Sequence, residues 1–283
     1  MTLNRPGPSE LPVAPPPNAF HFGRNWQRYV SAHLDPDRER IAAASLSALV
    51  GDLSGKTFVD VGCGSGLFSL CAYRSGASSI VSFDVDPDAV KATHDLHRRA
   101  GSPTNWRVIH RSILDPATVA DLEPADVVYS WGVLHHTGDM YGAIRNAAAL
   151  VKRGGRFAIA IYNNDTDRWV TSRRWRHIKR AYNHAPRGLQ VGMELLYGLY
   201  WLAGCIYHLQ DPFRAAREYR QSRGMAVWTD LVDWLGGYPY EFAKAREIID
   251  FCETACGLVC RSIVPEPADG IGNNEFLFER PLE

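Results

Sequence analysis

Apolar and polar residues recur along this chain with two periods, and the switches between them mark out its elements. From about Asp37, RIAAASLSALVG carries apolar residues at helical spacing, and Gly51 and Gly55 bracket a turn before the apolar run TFVDVG. A helix is expected from Leu67 to Arg74, stopped by Gly76, then a strand in SSIVSFDVD. PDAVKATHDLHRRA predicts a helix with Pro87 near its first turn. WRVIHRSIL and ADVVYSW predict strands, MYGAIRNAAALV a helix ended by Gly154 and Gly155, and RFAIAIYN a fifth strand. After Tyr162 the alternation stops. Roughly seventy mostly helical residues precede AREIIDFCETA (helix), LVCRSIV (strand) and NEFLFER (last strand).

Strands alternating with helices of this length predict an α/β fold with a doubly wound, seven-stranded, mostly parallel sheet. A mainly helical cap is expected as an insertion after strand five. The expected division is a flexible proline-rich arm at 1–20, a core at 21–162, the cap at 163–242 and a completing helix and two strands at 243–283.

Composition narrows the class. With 46% apolar and 22% charged residues, the chain has the make-up of a soluble globular protein, and zero formal net charge points away from nucleic acid. The N-terminal stretch is polar and proline-rich, with no secretory signal, so reduced thiols and a cytoplasmic location are expected. Cys252, Cys256 and Cys260 are spaced by four, but Gly257 is expected to end the helix between the last two and no histidine is near. No metal is expected.

The chemistry centres on FVDVGCGSGLF (58–68). A phosphate loop is excluded. SGKT at 54–57 looks like its tail, but Val50 stands where the first glycine belongs, and the lysine precedes a strand instead of following one. A dinucleotide fingerprint spaces its glycines G-x-G-x-x-G, whereas Gly62, Gly64 and Gly66 are spaced G-x-G-x-G. S-adenosylmethionine (SAM) fits best, because it brings an ammonium and a sulfonium in place of a pyrophosphate. Asp60 supplies negative charge on that side, and the glycines let the backbone approach without a Cβ in the way. Asp84 can accept both ribose hydroxyls.

The chain resembles the class I SAM-dependent methyltransferases, a Rossmann-like family, and is most similar to their small-molecule O-methyltransferase branch. FVDVGCGSG resembles the family's first motif and Asp84 in VSFDVD its second. RSILD (111–115) matches the segment beside adenine, DVVYSWGVLHH (126–136) the fourth-strand motif, and LVKRGGRFAIAIY the glycine turn before strand five. The resemblance implies SAM as cofactor, S-adenosylhomocysteine (SAH) as product, and cofactor contacts from Asp60, Gly62, Cys63, Gly64, Gly66, Asp84, Val85, Ser112, Ile113 and Trp131. Ser112 stands where many relatives carry aspartate; its hydroxyl and the Ile113 backbone are expected to read the adenine, with Asp115 as an alternative.

In this fold the acceptor approaches the ends of strands four and five, where Trp131, His135, His136, Tyr162 and Asn163 stand. His136 or His135 is the leading general base, since imidazole titrates near neutrality, with Tyr162 as base or orienting group. The competing reading has the histidines only bonding backbone or packing on the cofactor. RGMAVWTDLVDWLGGYPYE (223–241) is dense in aromatics, glycines and acids, so Arg223, Asp230, Tyr238, Tyr240 and Glu241 are expected at the acceptor, with Asn274 from GIGNNEF. A rigid hinge and ordinary turn chemistry explain the same residues.

Residues 165–224 hold 11 Lys/Arg against 5 Asp/Glu, and 168–187 hold seven Lys/Arg with no acid. That suits a phosphate- or carboxylate-bearing acceptor such as a sugar nucleotide or lipid carrier, or else a solvated helix face. LQVGMELLYGLYWLAGCIYHLQ (189–210) is apolar with one acid, Glu194. A buried cap helix, a homodimer interface, a greasy acceptor pocket and shallow membrane contact all fit it. A methyltransferase acting on a small or carrier-linked hydroxyl is the reading that results, because candidate bases are present and the Asn/Asp-Pro-Pro-aromatic tetrapeptide of amide N-methylation is absent. A small-amine N-methyltransferase, an RNA methyltransferase and a non-catalytic SAM-binding protein are the rivals. DNA is not expected as a partner.

Overall fold

The computed structural model describes Gly23 and residues 35–164, 171–223, 227–266 and 272–283. Helix α1 (Pro36–Val50) begins where Asp35 accepts the Arg38 amide at 2.9 Å and Pro36 presets the first turn. Then come β1 (Thr57–Val61), α2 (Leu67–Arg74), β2 (Ser79–Asp84), α3 (Pro87–Arg99) and β3 (Trp106–His110). The short α4 (Pro116–Asp121) precedes β4 (Ala125–Trp131), a 3-10 turn (Leu134–His136), α5 (Met140–Ala149) and β5 (Val151–Tyr162). Helices α6 (Ser172–His184), α7 (Arg187–Tyr207), α8 (Pro212–Arg223) and α9 (Val227–Gly236) follow, then α10 (Ala245–Cys256), β6 (Val259–Val264) and β7 (Asn273–Glu279).

The seven strands form one sheet in the order β3-β2-β1-β4-β5-β7-β6. Pairings from β3 to β5 are parallel, and β7 runs antiparallel to both β5 and β6. This is the doubly wound α/β fold that the alternation predicts. Strand order reverses at β1, which lies between β2 and β4. Ligands of such sheets bind outside the carboxyl ends of the strands at this reversal. The loops after β1 and β4 therefore define the site.

Burial explains why the strands are apolar throughout. Phe58, Val59 and Val61 of β1 are each at most 2% exposed, because helices cover both faces of the sheet. Leu46, Leu70, Leu96 and Trp106 fill one layer, and Leu134, Ile144, Ile248 and Cys252 the other. Each such side chain contributes roughly 1.5–3 kcal/mol by leaving water. A third cluster of Trp175, Tyr182, Leu231, Leu235 and Tyr240 gives the helices after β5 their own centre.

Two expectations need correction. Gly154 and Gly155 do not end α5, which stops at Ala149; they lie inside β5, where Gly154 takes φ +70° and donates its amide to Arg280 O at 2.8 Å. A Cβ on Gly155 would meet the Ala125 carbonyl oxygen at 2.9 Å, so close strand pairing explains that glycine. Strand β3 ends at His110, and Arg111 to Leu114 form a turn whose Asp115 caps α4 by accepting the Ala117 amide at 2.9 Å. The aromatic stretch 21–30 and the arm before it lie outside the described residues, apart from Gly23, whose amide donates to Asp86 Oδ2 at 3.0 Å.

Candidate active site

The glycine loop is held from below by β2. The Gly62 and Cys63 amides both donate to Phe83 O, at 2.8 and 3.0 Å. Gly62 adopts φ +72°, and a Cβ there would lie 2.3 Å from Val133 Cγ1. Only glycine fits, because the loop after β4 presses directly on the loop after β1. A Cβ on Gly66 would likewise meet Thr93 of α3 at 2.8 Å, and Thr93 Oγ1 donates to Gly64 O at 3.1 Å. Cys63 is buried with its thiol 3.3 Å from that hydroxyl, and burial pushes its titration well up. It packs the loop; it is not a nucleophile.

Two carboxylates flank the loop, Asp60 buried and Asp84 half-buried. Asp84 accepts the Gly64 amide at 3.0 Å and the Asp86 amide at 2.9 Å, and burial raises its pKa to about 6. Asp60 is 3% exposed and accepts the Ser69 hydroxyl at 2.5 Å. Ser69 is in turn 2.6 Å from Ser82, which accepts Trp106 Nε1–H at 2.7 Å. Ser69 gives its proton to Asp60, so Ser82 must donate to Ser69, and the relay ends on the carboxylate. That does not offset desolvation, and Asp60 is raised to about 7. Neither carboxylate has a cationic partner among the described residues. A loop shaped by glycine beside buried negative charge that lacks a counter-ion fits a ligand bringing an ammonium and a ribose diol. In the segment expected beside adenine, Ser112 Oγ accepts the Leu114 amide at 3.2 Å and Ile113 is buried, while Val85 is half-buried just after β2.

The edge where an acceptor is expected is built from the turn after β4. The Glu241 amide donates to His135 O at 2.9 Å, the Gly138 amide donates to the Glu241 carboxylate at 3.0 Å, and His136 Nδ1 lies 2.6 Å from Pro239 O. Residues 239–241 are thus a strap tied across the turn. A carbonyl only accepts, so Nδ1 of His136 carries the proton and Nε2 the lone pair. Burial lowers the His136 pKa to about 4; the Pro239 bond opposes this and the Lys179 charge adds to it. At neutral pH the ring is uncharged with Nε2 unprotonated, a weaker base than the near-neutral imidazole expected from sequence. Tyr162, half-buried at the end of β5, stands with its ring centroid 5.5 Å from His136.

Lys179 was hidden in the basic run. It is fully buried, donates to Trp234 O, and faces the rings of Trp234 at 4.0 Å and Tyr240 at 4.8 Å. The only hint was its spacing of four from Trp175, which puts the two on one helix face.

Several expected contacts are not made. His135 is 0% exposed and packs at a 48° tilt against Tyr162, with ring centroids 4.0 Å apart, so it cannot reach an acceptor; burial also holds it neutral. Tyr240 is 1% exposed, locked among Tyr162, Trp234 and Phe242. Asn274 is 2% exposed and clamps strand ends together, donating to Asn163 Oδ1 at 3.1 Å and accepting the Glu266 amide at 2.9 Å. Glu241 is engaged in the strap, and Tyr238 beside it is half-buried. Trp131 is 43% exposed at the end of β4 and donates its Nε1–H to Glu275 Oε1 at 3.0 Å. Arg223 and Asp230 belong to α8 and α9, but their side chains lie outside the described residues.

Strand order, glycine loop and paired carboxylates define a class I SAM-dependent methyltransferase, an enzyme with SAM as its cofactor. The chain belongs to the methyltransferase domain family, whose model matches residues 27–191. Among curated proteins it is similar to the ribosomal protein L11 methyltransferases of Aeromonas salmonicida, 48% identical over 50 residues, and Erwinia tasmaniensis, 33% identical over 113 residues. Those stretches cover 18% and 38% of this chain and only 17% and 34% of the relatives. Among solved structures, magnesium protoporphyrin IX methyltransferase from Synechocystis PCC 6803, with bound SAH, superposes with a TM-score of 0.53. It is 15% identical, and the match covers 91% of this chain and 94% of that one, a likeness of fold alone.

Proposed function

We propose that the enzyme methylates a hydroxyl oxygen on a small or carrier-linked acceptor, with His136 as general base. The observation that carries this is the fixed tautomer of His136, whose Nδ1 proton is committed to Pro239 O at 2.6 Å. SAM, when bound, supplies the methyl group on a positively charged sulfonium leaving group. Everything else falls to side chains of this chain. Val133 packs on Gly62, so the turn bearing His136 sits against the cofactor loop, and a hydroxyl held between them loses its proton to Nε2. Tyr162 orients that hydroxyl, and Trp131 shields the mouth. A neutral amine would need no base, and the tautomer lock would then be superfluous.

The exposed arginines of α6, Arg173, Arg174, Arg176 and Arg180, favour an acceptor bearing phosphate or carboxylate. The matches to L11 methyltransferases span only parts of the chain, so their protein acceptor does not transfer. All six cysteines stand as thiols, in keeping with a cytoplasmic enzyme. The test is SAH release against paired acceptors that differ only in hydroxyl or amine, repeated with His136→Gln. Turnover on the hydroxyl member that the variant lowers by about 100-fold or more supports the reading. Preference for the amine, or undiminished turnover in the variant, overturns it.

A further inference from the structure

We propose that α7 and the start of α8 seat this enzyme on an anionic membrane surface. From Gly188 to Tyr207 the one charged residue is Glu194, and it is turned inward, accepting the Tyr182 hydroxyl and Arg187 Nη1 at 2.7 Å each. The outward half of the helix therefore carries no charge. Leu196 is 69% exposed, Tyr200 72% and Tyr207 83%, and the surface continues through Leu209 at 95% and Phe213 at 83%. At about 100° per residue, Leu189, Leu196, Leu199, Ala203 and Ile206 share that half of the cylinder. The apolar area is on the order of 1,000 Å², well above the few hundred Å² of an ordinary monomer surface.

The packed side holds Met193, Tyr197 and Cys205 with the paired Glu194, while the side turned outward is apolar and uncharged. A helix with length and hydropathy enough to cross a bilayer is here docked along one side, where Trp228 approaches Gly198 and Glu194 is paired. It would lie in the interface and not span it. Charge selects the occupant. Arg173 and Arg180 on α6 and Arg214 and Arg217 on α8 are exposed on the helices that flank α7, and Arg217 lies one turn beyond Phe213. Among the described side chains of α6–α8, Glu194 is the one acid, with Asp211 just before α8. A second copy of the chain would bring like charges together, whereas an anionic bilayer offers apolar depth and opposite charge. Stacked rings also lead inward from this face. Tyr200 stacks on Tyr197 at 6.1 Å, Tyr197 meets Trp175 at 5.5 Å, and Trp175 meets Trp234 at 5.3 Å, beside Tyr162. The inference does not depend on the acceptor being a lipid.

The experiment is co-sedimentation of the full chain with phosphatidylcholine vesicles, alone or with about 30% phosphatidylglycerol, as salt rises from about 0.05 to 0.5 M. The expected result is binding to anionic vesicles at least about 10-fold above neutral ones, lost as salt rises. The double variant Leu196→Glu/Leu199→Glu should abolish it while SAH affinity, reporting a folded core, is unchanged. Arg214→Gln/Arg217→Gln should weaken it by about 25-fold. Three results overturn the proposal: no sedimentation, equal and salt-independent binding to both vesicles, or a solution dimer that Leu196→Glu dissociates.

Discussion

Replacing Asp60 by asparagine should make the ligand-free enzyme more stable at alkaline pH and a poorer binder of SAH. Burial raises this carboxyl from 3.8 to about 7, so the folded protein holds the proton more tightly than the unfolded chain does. The resulting penalty is absent below 3.8, grows from 3.8 to about 7, and is complete above that. At about 1.4 kcal/mol per pH unit its full size is about 4 kcal/mol. Asparagine removes the charge and still accepts the Ser69 hydroxyl, but it buries an amide whose unmet donors cost about 1–3 kcal/mol. The net gain at pH well above 7 is then about 1–3 kcal/mol. The pH dependence is the cleaner signature, since the amide cost cancels between conditions. Between about pH 5.5 and 8.5 the variant should gain about 2 kcal/mol on wild type. Urea unfolding of both proteins at the two pH values measures this. Calorimetry should show SAH binding weakened about 10- to 100-fold by loss of a charged partner. A stability difference that does not change with pH would refute the idea that a buried, unpaired carboxylate is held in readiness for a cation.

Other outcomes follow from the same geometry. Gly62→Ala should cost about 2–4 kcal/mol and at least 10-fold in SAH affinity, from a left-handed backbone and a 2.3 Å approach to Val133, with partial rescue by Val133→Ala in urea melts and calorimetry. His136→Gln should lower kcat by about 100- to 10,000-fold while SAH affinity stays within about threefold. Because His136 titrates near about 4, wild-type kcat should be flat through neutrality and fall only in acid, read from a pH–rate profile. Glu194→Ala should destabilise the helices after β5 by about 1–3 kcal/mol, since it strands the buried Tyr182 hydroxyl, and should leave SAH binding by the core unchanged.

Much of the core was legible because its signals are local. The bounds of α2 follow from Gly66 and a broken apolar run, and the loop's purpose from three glycines and Asp60. Helix α4 also announced itself through Asp115 and Pro116, a cap and first-turn pair overlooked beside the longer periodic segments. What stayed illegible depends on contacts across the chain. Nothing near Tyr240 or Asn274 says that Trp234 and Asn163 will enclose them. The order of His135 and His136 does not reveal which points inward. The 3-10 turn decides this by placing one under Tyr162 and the other against Pro239, 103 positions away. Lys179 is the same case, since its cage comes from α9 and the strap.

The most direct measurement is calorimetric titration of SAH into wild type and Asp84→Ala. Asp84 is fixed by the Gly64 and Asp86 amides at the rim of the glycine loop, in position to accept a ribose diol. The account predicts micromolar binding by wild type, weakened at least about 100-fold in a variant that stays folded. Undiminished binding by Asp84→Ala, or tighter binding of NAD than of SAH by wild type, would contradict it.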